Sequence, residues 1–160
     1  MTIKPGDAIP AATVSLMTAD GVKTVASDEL FKGKKVALFG LPGAFTPTCS
    51  AKHVPGFLAN ADALKAKGID SIICLSVNDA FVMGAWGKNL NVRDAIIMAA
   101  DGSAELTKAM GLDLDLTTRG MGVRCDRFSM IVEDGVVKVI NREEPGEYRV
   151  SSAETMLGQL

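Results

Sequence analysis

Cysteine is scarce: three residues, Cys49, Cys74 and Cys125, stand in a chain of 160. An odd number of thiols argues against a secreted disulfide framework, and a chain of this length buries one good core without staples. Free thiols in a reducing compartment are expected. No C-x-x-C pair is present, which removes the dithiol site of a disulfide exchanger. Charge of one sign is also missing. The 17 Lys+Arg and 19 Asp+Glu residues leave a net charge of −2, with no basic stripe for nucleic acid, so small uncharged molecules or other proteins are the expected partners. No apolar run approaches bilayer-spanning length, and the opening Met1-Thr2-Ile3-Lys4-Pro5-Gly6-Asp7 is polar and turn-like rather than signal-like. No membrane association is expected. The default address is cytoplasmic, although a processed organellar protein would read the same. With no repeat, low-complexity tract or linker, the expectation is one domain over residues 1–160.

What is present alternates between strand and helix patterns. Thr13 to Leu16 and Val22 to Val25 flank Asp20-Gly21, a hairpin signal, which predicts an N-terminal β-hairpin. Ser27 is placed to cap a short helical turn, and Val36-Ala37-Leu38-Phe39-Gly40 reads as a buried central strand. A helix is expected from Thr48 or Cys49 to Gly68, pausing near Pro55-Gly56. Then follow a strand at 71–77, a helix started by Asn78 or Asp79, a strand at 95–99, and a helix from Asp101-Gly102-Ser103 through Met110. The run Gly120-Met121-Gly122 lacks the context of a nucleotide loop and reads as a flexible bend outside the core. Strands at 127–132 and 136–140 turn about Glu133-Asp134-Gly135, and Ser151-Ser152-Ala153-Glu154 has the capping-box pattern of a last short helix. This order is that of an α/β domain.

Cys49 stands where an apolar strand passes through a Pro/Gly loop into a helix start. Unpaired N–H groups in a first helical turn favour thiolate over thiol and can hold an anionic or peroxidic oxygen. Thiolate attack on a peroxide moves charge along the S–O–O axis, so donors are needed beside both oxygens. Thr46 can supply a hydroxyl and Arg127 a cation, while Pro42 and Pro47 stiffen the loop and remove backbone donors. Without this loop, Cys49 would read equally well as a small buried residue.

The string Pro42-Gly43-Ala44-Phe45-Thr46-Pro47-Thr48-Cys49 matches the P-x-x-x-T-x-x-C motif of peroxiredoxins. Its continuation through Ser50, His53, Val54, Pro55, Gly56 and Phe57 resembles the peroxiredoxin 5, or type II, subfamily. Ser76-Val77-Asn78-Asp79, Phe81-Val82-Met83 with Trp86, Asp101-Gly102 and Arg127-Phe128-Ser129-Met130 extend the likeness over nearly the whole chain. The resemblance implies a thioredoxin-like fold, a central mixed β-sheet flanked by helices. It gives Pro42, Thr46, Cys49 and Arg127 the roles of the family's active-site quartet, with Cys49 peroxidatic. It further implies hydrogen peroxide or a small organic hydroperoxide as substrate, a sulfenic acid intermediate, a non-covalent homodimer, and no metal or organic cofactor.

Other residues have plainer readings beside the functional ones. Arg124 and Arg127 are too far apart to share one strand face, so Arg127 is expected in the site and Arg124 in solvent. His53 follows Cys49 by one helical turn, which raises a Cys/His acyl-transfer pair, but no local third residue orients the imidazole and structural support is the favoured role. Cys74, inside Ile72-Ile73-Cys74-Leu75, is a buried strand residue or a resolving thiol. Cys125, two residues before Arg127, is expected on the same strand side and near the site. Animal relatives carry a resolving cysteine in a segment corresponding to residues 146–152, which here has none. The resemblance then points to an external reductant, glutaredoxin with glutathione or thioredoxin. Phe45, Phe81 and Trp86 read as a collar over the cysteine, a dimer contact, or core. Two rival functions stay open: a thiol–disulfide oxidoreductase, and a redox sensor or chaperone switched by Cys49.

Overall fold

The computed structural model describes residues 1–160. The alternation of branched and polar residues at the start forms the expected hairpin, β1 (Thr13–Thr18) against β2 (Gly21–Ala26). The apolar runs form β3 (Lys35–Gly40), β4 (Ser71–Ser76) and β5 (Ile97–Ala100), and the C-terminal hairpin is β8 (Phe128–Glu133) with β9 (Val136–Arg142). They make one mixed sheet in the order β2-β1-β5-β4-β3-β8-β9, parallel across β3, β4 and β5 and antiparallel elsewhere. The β8–β9 turn has Asp134 at φ 47° and Gly135 at φ 77°, the two positive angles of a tight turn matched to strand twist.

Helices cover both faces: α1 (Ser27–Phe31), α2 (Val54–Ala59), α3 (Ala61–Ala66), α4 (Ala80–Asn89), α5 (Glu105–Ala109) and α6 (Ala153–Leu157). The two-residue period of β3 divides the core. Ala37 and Phe39 join Cys49, Phe57, Cys74 and Trp86 on one face, while Val36 and Leu38 join Phe31, Met110, Cys125 and Phe128 on the other.

Four local expectations are corrected. The segment around Gly120 closes a second, two-stranded sheet, β6 (Asp113–Leu116) with β7 (Gly122–Cys125), through a single 3₁₀ turn at Thr117–Arg119. Its strands are too short to reveal a period in sequence. The irregularity expected at Pro55-Gly56 falls on either side of it: a π turn at Cys49–His53 gives way to α2 at Val54, with Pro55 in its first turn, and a break follows at Asn60. Ser27 does not cap α1 but bridges Pro10 and Ala12, its Oγ donating to the Pro10 carbonyl at 2.8 Å and accepting from Ala12 N at 3.1 Å. Ser152 alone caps α6, accepting from Thr155 N at 3.2 Å, while Glu154 accepts from Asn60 instead of completing a capping box.

Candidate active site

The site forms where β3 ends against β8. A Cβ on Gly40 would lie 2.1 Å from the Phe128 ring, so the bare glycine lets Phe128 pack across the strand end, next to Arg127. Beyond it the loop is pinned at several points. Ala44 N donates to Asn78 Oδ1 at 2.9 Å, and the Ser76 hydroxyl donates to the same oxygen at 2.6 Å. Phe45 takes a left-handed conformation, φ 65°, which a phenylalanine adopts only under such constraint. Thr46 Oγ1 donates to the Gly43 carbonyl at 2.7 Å, and its own carbonyl accepts from Ser50 N at 2.9 Å. Pro47 then opens the helix, and Cys49–His53 forms one wide π turn.

Cys49 is fully buried. Arg127, half-buried at the start of β8, donates from Nη2 to Cys49 Sγ at 3.1 Å and from Nη1 to His53 Nδ1 at 2.9 Å. His53 Nε2 lies 3.0 Å from the Ser151 carbonyl. Arginine has no acceptor and a carbonyl no donor, so the ring is the neutral Nε2–H tautomer. Burial, and next the Arg127 charge, push the His53 pKa down to about 3. Phe39 lies 4.9 Å from the imidazole on one side, and Tyr148 meets it edge-on at 5.3 Å. The Tyr148 ring centroid is also 5.9 Å from Arg127 Cζ.

The Cys49–Arg127 pair foreseen from sequence is therefore in direct contact, with Thr46 and Pro42 on the adjoining loop. Arg124 departs from expectation. It leaves solvent to donate from Nη1 to the Pro42 carbonyl at 3.3 Å and from Nε to the Met121 carbonyl at 2.9 Å. It arrives from the β6–β7 hairpin, not from the strand of Arg127, so face-sharing along one strand never applied. Cys125 ends β7 and packs in the core cluster opposite that of Cys49. Burial foremost, with the Asp126 charge, pushes its thiol pKa up; burial does the same at Cys74, aided by the charge of Cys49. Trp86 is core, its Nε1–H donating to Ser50 Oγ at 3.0 Å, while Phe45 and Phe81 stand 53% and 70% exposed.

Sequence reasoning missed Ser151 and Tyr148 as partners of His53, because 98 and 95 positions in the chain separate them from it and nothing local links them. A small cavity of about 110 Å³ reaches Pro42, Thr48 and Arg127 from the side of Glu143 to Glu147. A separate cleft of about 670 Å³ between β1, β5 and α4 touches none of the quartet. No group of three His, Cys, Asp or Glu side chains converges as a metal site, and no helix is long and apolar enough to cross a membrane.

The family model described as Redoxin matches residues 4–157. Peroxiredoxin-2B of Arabidopsis thaliana is 51% identical over 159 residues, covering 99% of this chain and 98% of the relative. The chain belongs to the peroxiredoxin family, in its type II branch. A second peroxiredoxin relative, the chloroplastic peroxiredoxin-2E-2 of Oryza sativa subsp. japonica, is 52% identical over 99% of this chain and 73% of its own length. Among solved structures, reduced Prx3 of Vibrio vulnificus in complex with hydrogen peroxide superposes with a TM-score of 0.95 at 50% identity, covering 99% of both chains. This peroxiredoxin has the thioredoxin-like α/β fold and is a peroxidase, an oxidoreductase that takes a peroxide substrate and a thiol reductant.

Proposed function

We propose that Cys49 is the peroxidatic residue, that Arg127, Thr46 and Pro42 complete the site, and that the substrates are hydrogen peroxide and small organic hydroperoxides. The observation that carries this reading is the Arg127 donor 3.1 Å from Cys49 Sγ. The thiolate attacks the nearer peroxide oxygen, the S–O bond forms as the O–O bond breaks, and the leaving oxygen departs as hydroxide or alkoxide and takes a proton from water. Cys49 becomes a sulfenic acid. The guanidinium lies where charge shifts from sulfur toward oxygen, a fixed donor needing no reorganisation. Thr46 Oγ1, whose proton goes to the Gly43 carbonyl, accepts a hydrogen bond from the peroxide. That a relative of 50% identity was crystallised with hydrogen peroxide supports this substrate class.

Recycling is assigned to an external thiol, glutaredoxin with glutathione or thioredoxin. Neither Cys74 nor Cys125 is exposed, and both thiols are held protonated by burial. An incoming thiolate attacks the sulfenic sulfur and expels hydroxide, which takes a proton from solvent to leave as water, giving a mixed disulfide, and a second thiol releases Cys49. Because Cys49 is fully buried, the π turn must open before a protein thiol can reach it. The exposed Phe45 on the loop before Cys49 and Phe81 at the start of α4 are assigned to a non-covalent homodimer contact, and three free thiols suit a reducing compartment, taken as the cytoplasm.

The test is stopped-flow oxidation by hydrogen peroxide with intact mass before and after, on wild type and Cys49→Ser. Fast, Cys49-dependent gain of one oxygen is expected. Slow oxidation that survives Cys49→Ser would reject the assignment, and loss of two hydrogens would reject external recycling.

A further inference from the structure

Glu143 closes a ring of hydrogen bonds around Arg127. Its backbone N–H donates to the Arg127 carbonyl at 2.9 Å, just beyond the Phe128–Arg142 pair that ends the β8–β9 ladder. The residue is 8% exposed. One oxygen, Oε2, accepts from the N–H groups of Arg149, Val150 and Ser151, each at 2.8 Å, and from the Ser151 hydroxyl at 2.7 Å. No cationic side chain pairs with it. An ionised carboxylate accepts several donors and donates none, which this cluster requires. Burial alone would raise the Glu143 pKa, but the bonds from Ser151, Val150 and Arg149 outweigh it and bring it below the usual value.

Residues 144–152 belong to no strand or helix, and the carboxylate ties Arg149, Val150 and Ser151 of that segment to the end of β9. The Ser151 carbonyl that it fixes accepts from His53 Nε2–H at 3.0 Å, His53 Nδ1 accepts from Arg127 Nη1 at 2.9 Å, and Arg127 Nη2 reaches Cys49 at 3.1 Å. The ring thus runs from the Arg127 main chain through Glu143, Ser151 and His53 back to the Arg127 guanidinium. We propose that Glu143 is a positioning residue, which through Ser151 and His53 holds the Arg127 guanidinium on the Cys49 sulfur. The inference rests on the reading of Cys49 and Arg127 given above. A guanidinium on a long flexible stem has many rotamers, and anchoring it at a second point selects the reactive one before peroxide arrives.

A double-mutant cycle tests this. Glu143→Gln keeps the shape but turns a donor or a weaker acceptor toward four N–H and O–H groups. The rate of oxidation by hydrogen peroxide, read from the single tryptophan, Trp86, should fall about 10- to 100-fold, the scale of a small misplacement of a reacting group. In an Arg127→Ala background the same change should have no effect on the rate, because nothing remains to be positioned. An equal loss in both backgrounds, or none in the wild type, overturns the proposal. His53 is the only histidine, so its ¹⁵N shifts give an independent reading without peroxide: one Nε2–H tautomer in wild type, averaged tautomers in Glu143→Gln. An unchanged tautomer also overturns it. If Glu143→Gln does not fold, Ser151→Ala, which deletes one donor and keeps the carbonyl, should show the same coupling to Arg127 with a smaller loss, and its absence overturns the proposal. Slow oxidation of the wild type would instead defeat the reading of Cys49 itself.

Discussion

Arg127 donates to His53 Nδ1 at 2.9 Å, so the one ring nitrogen that faces the site accepts a hydrogen bond and is not free to take a proton from Cys49. The Cys/His pairing that the spacing raised is thereby closed. The histidine serves the arginine, and the arginine serves the sulfur.

Removing the guanidinium should be expensive. Arg127→Ala is expected to lower the second-order rate of Cys49 oxidation by about 10²–10³, the usual scale for losing one charge-stabilising donor. Stopped-flow fluorescence measures it directly, and a rate within twofold of wild type would remove Arg127 from the mechanism.

His53 makes stability depend on pH. Its pKa is about 3 in the fold against an ordinary 6.5. The unfolded chain takes up a proton as pH falls through 6.5, and the fold does not until about 3. The stabilising contribution is complete above pH 6.5 and is lost as pH falls toward 3, at up to about 1.4 kcal/mol per pH unit. Urea titrations between pH 6.5 and 4 should show a shallower decline in His53→Gln than in wild type. Parallel declines would mean that the imidazole is not held neutral.

Cys74→Ser and Cys125→Ser should both turn over peroxide with glutaredoxin or thioredoxin as reductant, since neither thiol is exposed. Each should lose about 1–3 kcal/mol of stability, because a hydroxyl replaces a thiol in an apolar core. A variant that folds yet no longer recycles would identify an internal resolving thiol.

Gly40→Ala tests the packing that brings β8 to the loop. The new methyl would meet the Phe128 ring 2.1 Å away, forcing the ring off β3 and moving the backbone that carries Arg127. A stability loss of about 1–3 kcal/mol is expected, together with slower Cys49 oxidation. Wild-type melting and wild-type kinetics would show that the contact relaxes without cost.

Much of the architecture could be read from local pattern. Strong two-residue periods and continuous apolar runs placed seven of the nine strands, β1 to β5 with β8 and β9, because burial on one or both faces writes itself into composition. The β6–β7 hairpin escaped notice: Asp113-Leu114-Asp115-Leu116 is half-exposed and only four residues long, and its turn looks like any glycine-rich loop. Cap assignments at Ser27 and Ser151 failed for a related reason. A serine at a helix start has several partners within reach, and here the Pro10 carbonyl and the Glu143 carboxylate accept from the two hydroxyls.

By itself the sequence determined the α/β order, the place of Cys49 at the mouth of a helix, and the family whose motif surrounds it. These are local properties, carried by residues within a few positions of one another. Only the tertiary structure decided that Arg124 turns inward, that Cys125 faces the opposite core, and that Glu143, Ser151 and His53 hold Arg127 from behind. The two His53 contacts bring chain segments 74 and 98 residues apart to 2.9 and 3.0 Å, a proximity set by the order of strands in the sheet and not by any short-range pattern.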